Sequence, residues 1–155
     1  MKYCFDTSSF IHASLRAYPP LNFPSFWKNL DSLIQSGNVT CPKAVLTELE
    51  KKDDDLLKWA KAHSKALIVE HDQPIQTVVS AIMADSVLQK LVDINRDRSA
   101  GDPFVVATAK TRGLILVTQE DYGKKTAVKI PNVCDAIGVK HIKLVDLIIA
   151  EKWVM

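Results

Sequence analysis

The chain has 155 residues, 47% of them apolar and 25% charged, which is enough to bury one sizeable core and points to a single domain over residues 1–155. A net charge of +2 is close to balance, so composition does not by itself announce a nucleic-acid partner. No apolar run approaches the roughly 20 residues of a membrane span, and the opening MKYCFDTSSF lacks the apolar stretch of a signal peptide, so a cytoplasmic protein with no membrane association is expected. Cys4, Cys41 and Cys134 show no CxxC spacing and are expected to be small buried residues rather than disulfide partners or zinc ligands.

In chain order, Lys2 to Phe5 form a short apolar strand ending at Asp6, and Thr7, Ser8 and Ser9 are N-cap candidates for a helix through about Leu15. Pro19, Pro20 and Pro24 precede an amphipathic helix carrying Phe26, Trp27, Leu30, Leu33 and Ile34, which stops near Ser36-Gly37. Val39 to Cys41 read as a second strand, and Pro42 opens a helix with Val45, Leu46 and Leu49 on one face and Glu48 and Glu50 pointing apart. Asp53, Asp54 and Asp55 suit the first turn of a helix through Leu56, Leu57, Trp59 and Ala60, and read as a cap and solvated face rather than a metal site.

After apolar Ala66 to Val69, Pro74 opens a long apolar-periodic stretch from Ile75 to Val92, followed by a charged loop from Asp93 to Gly101. Asp102 and Pro103 start a helix over Phe104 to Thr111, and Gly113 closes it before the apolar run Leu114 to Val117. Thr118, Gln119, Glu120 and Asp121 follow that strand directly. A basic loop then leads to a short helix near Val133 to Ile137 and a last helix from Leu144 to Trp153. Alternating strands and helices predict an α/β fold with a parallel sheet covered on both faces.

In such sheets functional groups gather at the carboxyl ends of strands, where Asp6 and the pair Glu120 and Asp121 both lie. Asp102 and Glu48 complete the same crevice if their helices start near those strand ends. Clustered carboxylates repel one another and imply a neutralising cation, and an all-oxygen donor set without paired His or Cys selects magnesium or manganese over zinc. Each acid also has a plainer reading: Asp6 and Asp102 as helix caps, Glu48 as a solvated helix residue competing with Glu50, and either Glu120 or Asp121 as the ligand. Ser9 and Thr118 stand beside the proposed acids, ready to orient them or to serve as ordinary turn residues. Arg96, Arg98, Lys110, Arg112, Lys124 and Lys125 share a third of the chain with Asp102, as either solvated faces or a phosphate track.

The segments CFDTSSFI, VLTELEKK, GDPFVVATAKTRG and LILVTQED, in that order, resemble the motifs of PIN-domain nucleases and span most of the chain. The tail KIPNVCDAIGVKHIKLVDLI resembles a bacterial and archaeal subgroup that often supplies the toxin of a toxin-antitoxin pair. The resemblance implies a three-layer α/β/α sandwich with a central parallel sheet, and a Mg2+- or Mn2+-dependent endoribonuclease. It further implies a cognate antitoxin partner and a homodimer. It assigns Asp6, Glu48, Asp102 and Glu120 to catalysis and Asp6, Asp102, Glu120 and Asp121 to the metal, with Thr7, Ser9 and Thr118 in support; of the basic residues near Asp102, the local charge pattern offers Arg98, Lys124 and Lys125 as the contacts to an RNA substrate. The family more often has Thr-x-Asp where this chain reads Thr118-Gln119-Glu120, which leaves Glu120 and Asp121 in competition. Two other readings are a catalytically inert PIN-like RNA-binding or assembly module and a magnesium phosphatase. The phosphatase class usually has a second Asp two residues after the first, where this chain has Ser8.

Overall fold

The structure is a computed structural model that describes residues 2–51, 55–93 and 99–155. Among these, strands β1 (Tyr3–Phe5), β2 (Val39–Pro42), β3 (Ile68–Val69), β4 (Ile115–Val117) and β5 (His141–Ile142) form one sheet in the order β3-β2-β1-β4-β5, and every pairing is parallel. The chain builds outward from β1 to β2 and β3, then returns to lay β4 against the other side of β1 and β5 beyond it. The direction of winding therefore reverses between β1 and β4, the position at whose carboxyl ends sheets of this kind place their crevice.

Helices α1 (Thr7–His12), α2 (Pro24–Gln35), α3 (Lys43–Glu50), α4 (Asp55–Ala62), α5 (Ser64–Leu67), α6 (Gln73–Ala84), α7 (Asp102–Arg112), α8 (Ile130–Ile137) and α9 (Leu144–Ala150) connect and cover the strands. Central β1 is buried throughout, and its side chains alternate between the two faces as the strand period requires. The Phe5 ring packs 5.0 Å from Phe10 of α1, whereas the Cys4 thiol faces the Val105 carbonyl of α7. On the Phe5 side a chain of rings continues from Phe10 to Trp59, Trp27 and Phe26 at centroid separations of 5.7, 5.1 and 5.5 Å. Trp27 is a core residue, as its periodic position predicts, and its indole N–H is satisfied by the Tyr18 carbonyl at 2.6 Å. All three cysteines are buried and free.

Several boundaries differ from the sequence reading. The cap of α1 is Asp6 and not the hydroxyl residues after it, because the Asp6 carboxylate accepts the Ser9 N–H at 3.0 Å. The helix relaxes into a π-helical turn over Ala13–Ala17. The periodic stretch beginning at Ile75 breaks after Ala84, where the Asp85 carboxylate accepts the N–H groups of Val87 and Leu88 and starts a separate 3-10 turn over Leu88–Leu91. Gly101 is the N-cap of α7 and Asp102 its first residue, so Asp102 is not the cap. Gly113 at φ 65° ends α7, a left-handed conformation that glycine adopts without strain. The last helix stops at Ala150, ahead of Lys152 at φ 56°. Asp53 and Asp54 lie outside the described residues; Asp55 begins α4.

The two ends of the chain are joined at Glu151, whose carboxylate accepts the Tyr3 hydroxyl at 2.7 Å and lies 3.2 Å from the Lys2 ammonium. These donors, Tyr3 foremost, hold the Glu151 carboxyl below its usual range. A carboxyl with a depressed folded-state pKa stabilises fully above its unfolded pKa and loses that contribution as pH falls through the folded value. Glu151→Gln is expected to cost about 1 kcal/mol in urea unfolding at neutral pH. The difference from the native chain should close as the pH is taken below the ordinary glutamate pKa, and a pH-independent difference would refute the account.

Candidate active site

The register Phe5↔Val117 brings the residues that leave β1 and β4 side by side. Asp6 and Thr118 are therefore neighbours in the crevice although 112 positions apart in the chain, and the Thr118 hydroxyl donates to Asp6 Oδ2 at 2.7 Å. The Ser8 hydroxyl lies 2.7 and 2.8 Å from the two Asp6 oxygens. Helix capping accounts for the Ser9 N–H bond alone. It does not require the hydroxyls of Ser8 and Thr118, nor an Asp6 only 2% exposed. Burial pushes the Asp6 carboxyl above its usual range, while the donors from Thr118, Ser8 and Ser9 pull it back. The Ser9 hydroxyl itself goes to the Val117 carbonyl at 2.8 Å, so Ser9 supports Asp6 through its backbone and ties α1 to β4 through its side chain.

The second acid enters from α3. Val45, Glu48 and Leu49 share its buried face at helical spacing, whereas Glu50 is exposed, which separates the two glutamates. The Thr7 hydroxyl donates to Glu48 Oε2 at 2.6 Å, linking α3 to the residue next to Asp6. The other carboxylate oxygen of Glu48 approaches Gly101 so closely that a Cβ there would collide with it, and would also stand 3.3 Å from the Ala44 Cβ. Glu48 is thus wedged between Thr7 and the start of α7, where Asp102 is 7% exposed. A small residue at Gly101 is what lets α3 and α7 converge.

Glu120 and Asp121 are separated by their partners. The Glu120 N–H donates to the Thr118 hydroxyl at 3.1 Å and its carboxylate accepts the Ile130 N–H at the start of α8, which keeps Glu120 close to Thr118. Asp121 is drawn outward to the Lys143 ammonium at 2.7 Å, with its carboxyl lowered chiefly by that hydrogen bond. Lys143 also donates to the carbonyls of Gln119 and Glu120 at 2.9 and 3.0 Å, pinning the strand-end loop to the start of α9. Neither Ser8, Gly101 nor Lys143 stands out in the sequence as a site residue, because each acts through a neighbour that only the fold supplies. Lys124 and Lys125 are exposed on the loop beyond Asp121, and Arg98 lies outside the described residues. Among the described residues, no three His, Cys, Asp or Glu side chains are grouped closely enough to share one ion as they stand.

The all-parallel α/β sandwich of the described residues is PIN-like in fold, and solved structures agree. VapBC2 from Rickettsia felis, bound to a DNA fragment from its promoter, is similar at a TM-score of 0.58 and 17% identity, over 92% of this chain and 98% of that one. DNA-bound VapBC from Salmonella typhimurium gives 0.58 at 16% identity, again over 92% and 98%. FitAB bound to an IR36 DNA fragment gives 0.52 at 16% identity, over 91% and 94%. At these identities the likeness establishes the fold. The chain itself belongs to the family described as domain of unknown function DUF4411, whose profile matches residues 3–155. No protein of curated function matches it in sequence.

The wedge at Glu48 can be tested by its geometry. Gly101→Ala is expected to lower stability by about 1–3 kcal/mol through overpacking, and Glu48→Ala introduced with it should recover part of that loss. Strictly additive effects in urea unfolding would show that the two positions do not press on each other.

Proposed function

We propose that the chain is a metal-dependent endoribonuclease that hydrolyses RNA phosphodiester bonds in the β1–β4 crevice, and that it is the toxin of a toxin-antitoxin pair. The observation that carries this reading is the buried Asp6 carboxylate at the winding reversal, which accepts the hydroxyls of Ser8 and Thr118 beyond the Ser9 N–H that capping of α1 uses. A carboxylate sequestered in this way costs stability, and sites of that kind are kept for binding or catalysis.

The donor set suits magnesium or manganese. Asp6, Glu48 and Asp102 offer buried hard oxygens, and the burial that raises the Asp6 pKa is a penalty an adjacent cation removes. Asp6 and Asp102 would be the main ligands, with Glu120 close by beside Thr118 and Asp121, already neutralised by Lys143, at the rim. When bound, such an ion supplies Lewis-acid activation of water and of the scissile phosphate. The chain's own contribution is positional. Ser8, Ser9 and Thr118 fix the Asp6 carboxylate, and Thr7 fixes Glu48. Lys124 and Lys125, exposed on the loop that follows Asp121, are suited to the RNA backbone. A cognate antitoxin covering the crevice and a homodimeric toxin complete the reading; the DNA-bound assemblies of the structural neighbours support the partner.

Purified protein with magnesium or manganese is expected to cut a mixed RNA pool, and Asp6→Asn should lose more than about 100-fold of that activity while unfolding at a similar temperature, beyond the effect typical of a residue that only orients a ligand. An intact RNA pool with the native chain, or full activity in Asp6→Asn, overturns the reading; tight RNA binding without cleavage instead marks an inert module. Replacing both Lys124 and Lys125 by Ala should weaken RNA binding and flatten its salt dependence, read from titrations at several ionic strengths. An unchanged salt slope removes these lysines from the substrate path.

A further inference from the structure

At the carboxyl ends of β4 and β5 lies a second cleft, of about 210 Å³, whose lining includes Thr118, Glu120, Tyr122, Pro131, His141 and Ile142. It adjoins the candidate active site, since Thr118 in its lining is the residue that donates to Asp6. The volume falls below the about 300–1000 Å³ of pockets that enclose a whole ligand, and suits a single flat ring system. Pro131 and Ile142 supply apolar surface. The acidic residues of its lining are already engaged: Asp121 by the Lys143 ammonium, Glu120 by the Ile130 N–H and Asp146 by the Lys143 N–H.

Tyr122 stands at the mouth of this cleft, 60% exposed, the sort of aromatic that usually moves freely in a loop. Here it is held. Its hydroxyl donates to Asp135 Oδ2 at 2.7 Å, and its ring meets His141 edge-on at a centroid distance of 5.7 Å. His141 is in turn 3.0 Å from the other Asp135 oxygen. The loop beneath is fixed as well, because Asn132 accepts the N–H groups of Gly123 and Lys129 at 2.7 and 2.9 Å and donates to the Gly123 carbonyl at 3.1 Å. A Cβ at Gly123 would collide with the Ala127 carbonyl, so the turn closes tightly just after Tyr122. The next residues, Lys124 and Lys125, are exposed cations. A rigid, exposed aromatic with cations close by in the same loop is the arrangement by which single-stranded nucleic acid is held, bases on the ring and phosphates on the charges.

We propose that Tyr122 is a stacking platform for an unpaired nucleobase of the substrate strand, which enters the cleft between Tyr122, Pro131 and Ile142 and positions the adjoining phosphate toward Asp6. This rests on the ribonuclease reading for its substrate but makes its own claim, that recognition depends on a base and not only on phosphates. Pre-organisation matters because the ring loses little freedom when the base arrives.

Binding of a short unstructured oligoribonucleotide to the full chain, without added divalent metal, tests it by fluorescence anisotropy beside an oligomer of equal length and charge that lacks bases. Tyr122→Ala should weaken binding of the base-bearing oligomer about tenfold and leave the abasic one within twofold, whereas Tyr122→Phe, which keeps the ring, should stay within about threefold of the native chain for both. The same ratio of the two affinities in native chain and Tyr122→Ala overturns the platform, as does failure of the native chain to prefer the base-bearing oligomer. Base-dependent binding through Tyr122 without RNA cleavage in magnesium would leave the platform standing and remove the nuclease. Cleavage with an unchanged KM in Tyr122→Ala would do the reverse.

Discussion

The arrangement at the centre of this molecule follows from one constraint, a carboxylate buried at the end of the middle strand. An ionised group taken out of water needs hydrogen bonds or a cation in place of its hydration. Asp6 obtains its hydrogen bonds from segments that the fold must deliver together: Ser8 and Ser9 from the first turn of α1, and Thr118 from the end of β4. The parallel register of β1 with β4 is what makes the last of these contacts available. Shifting that register by one residue would turn Thr118 to the opposite face of the sheet and leave Asp6 short of a donor.

The other acids are attached to this centre by contacts of the same kind. Thr7 carries the link from β1 to Glu48 on α3, and the missing side chain of Gly101 lets Glu48 reach the start of α7, where Asp102 lies. On the far side, Lys143 gathers the carbonyls of Gln119 and Glu120 and the carboxylate of Asp121, so the loop after β4 is held against α9. The buried acids Asp6 and Glu48 oppose folding, and the hydroxyls of Thr7, Ser8 and Thr118 and the space left by Gly101 are the compensation. Such local conflict within an otherwise consistent fold is characteristic of functional sites.

Aromatic residues serve two different purposes here. Phe5, Phe10 and Phe26 are fully buried and Trp27 nearly so, and with Trp59 they form a chain of rings whose value is apolar burial and packing. Tyr122 contributes little of that, because most of it faces water, yet it is tethered by Asp135 and steadied by a loop clamped on Asn132. The cost of ordering an exposed ring has no return in core packing, which is why its return is sought in a ligand.

Much of this was determined by local sequence. An apolar stretch ending in Asp6 defines β1 and its junction, the 3.6-residue period defines α2 and α3, and Gly113 ends α7 because glycine tolerates the left-handed backbone there. The PIN-like sandwich was legible from these alternations and from the order of the acidic motifs. The two-residue strand β5 was not, since so short a segment has no periodicity and exists only by pairing with β4. Nor could local sequence choose between Glu48 and Glu50, between capping and a buried site at Asp6, or between Glu120 and Asp121. Those choices depend on which helix face is buried, on a hydroxyl 112 positions away and on a lysine 22 positions away. Residue type and period act over a few positions and determine the elements. The environment of each carboxylate is made by side chains distant in sequence, and only their convergence in the tertiary structure decides it.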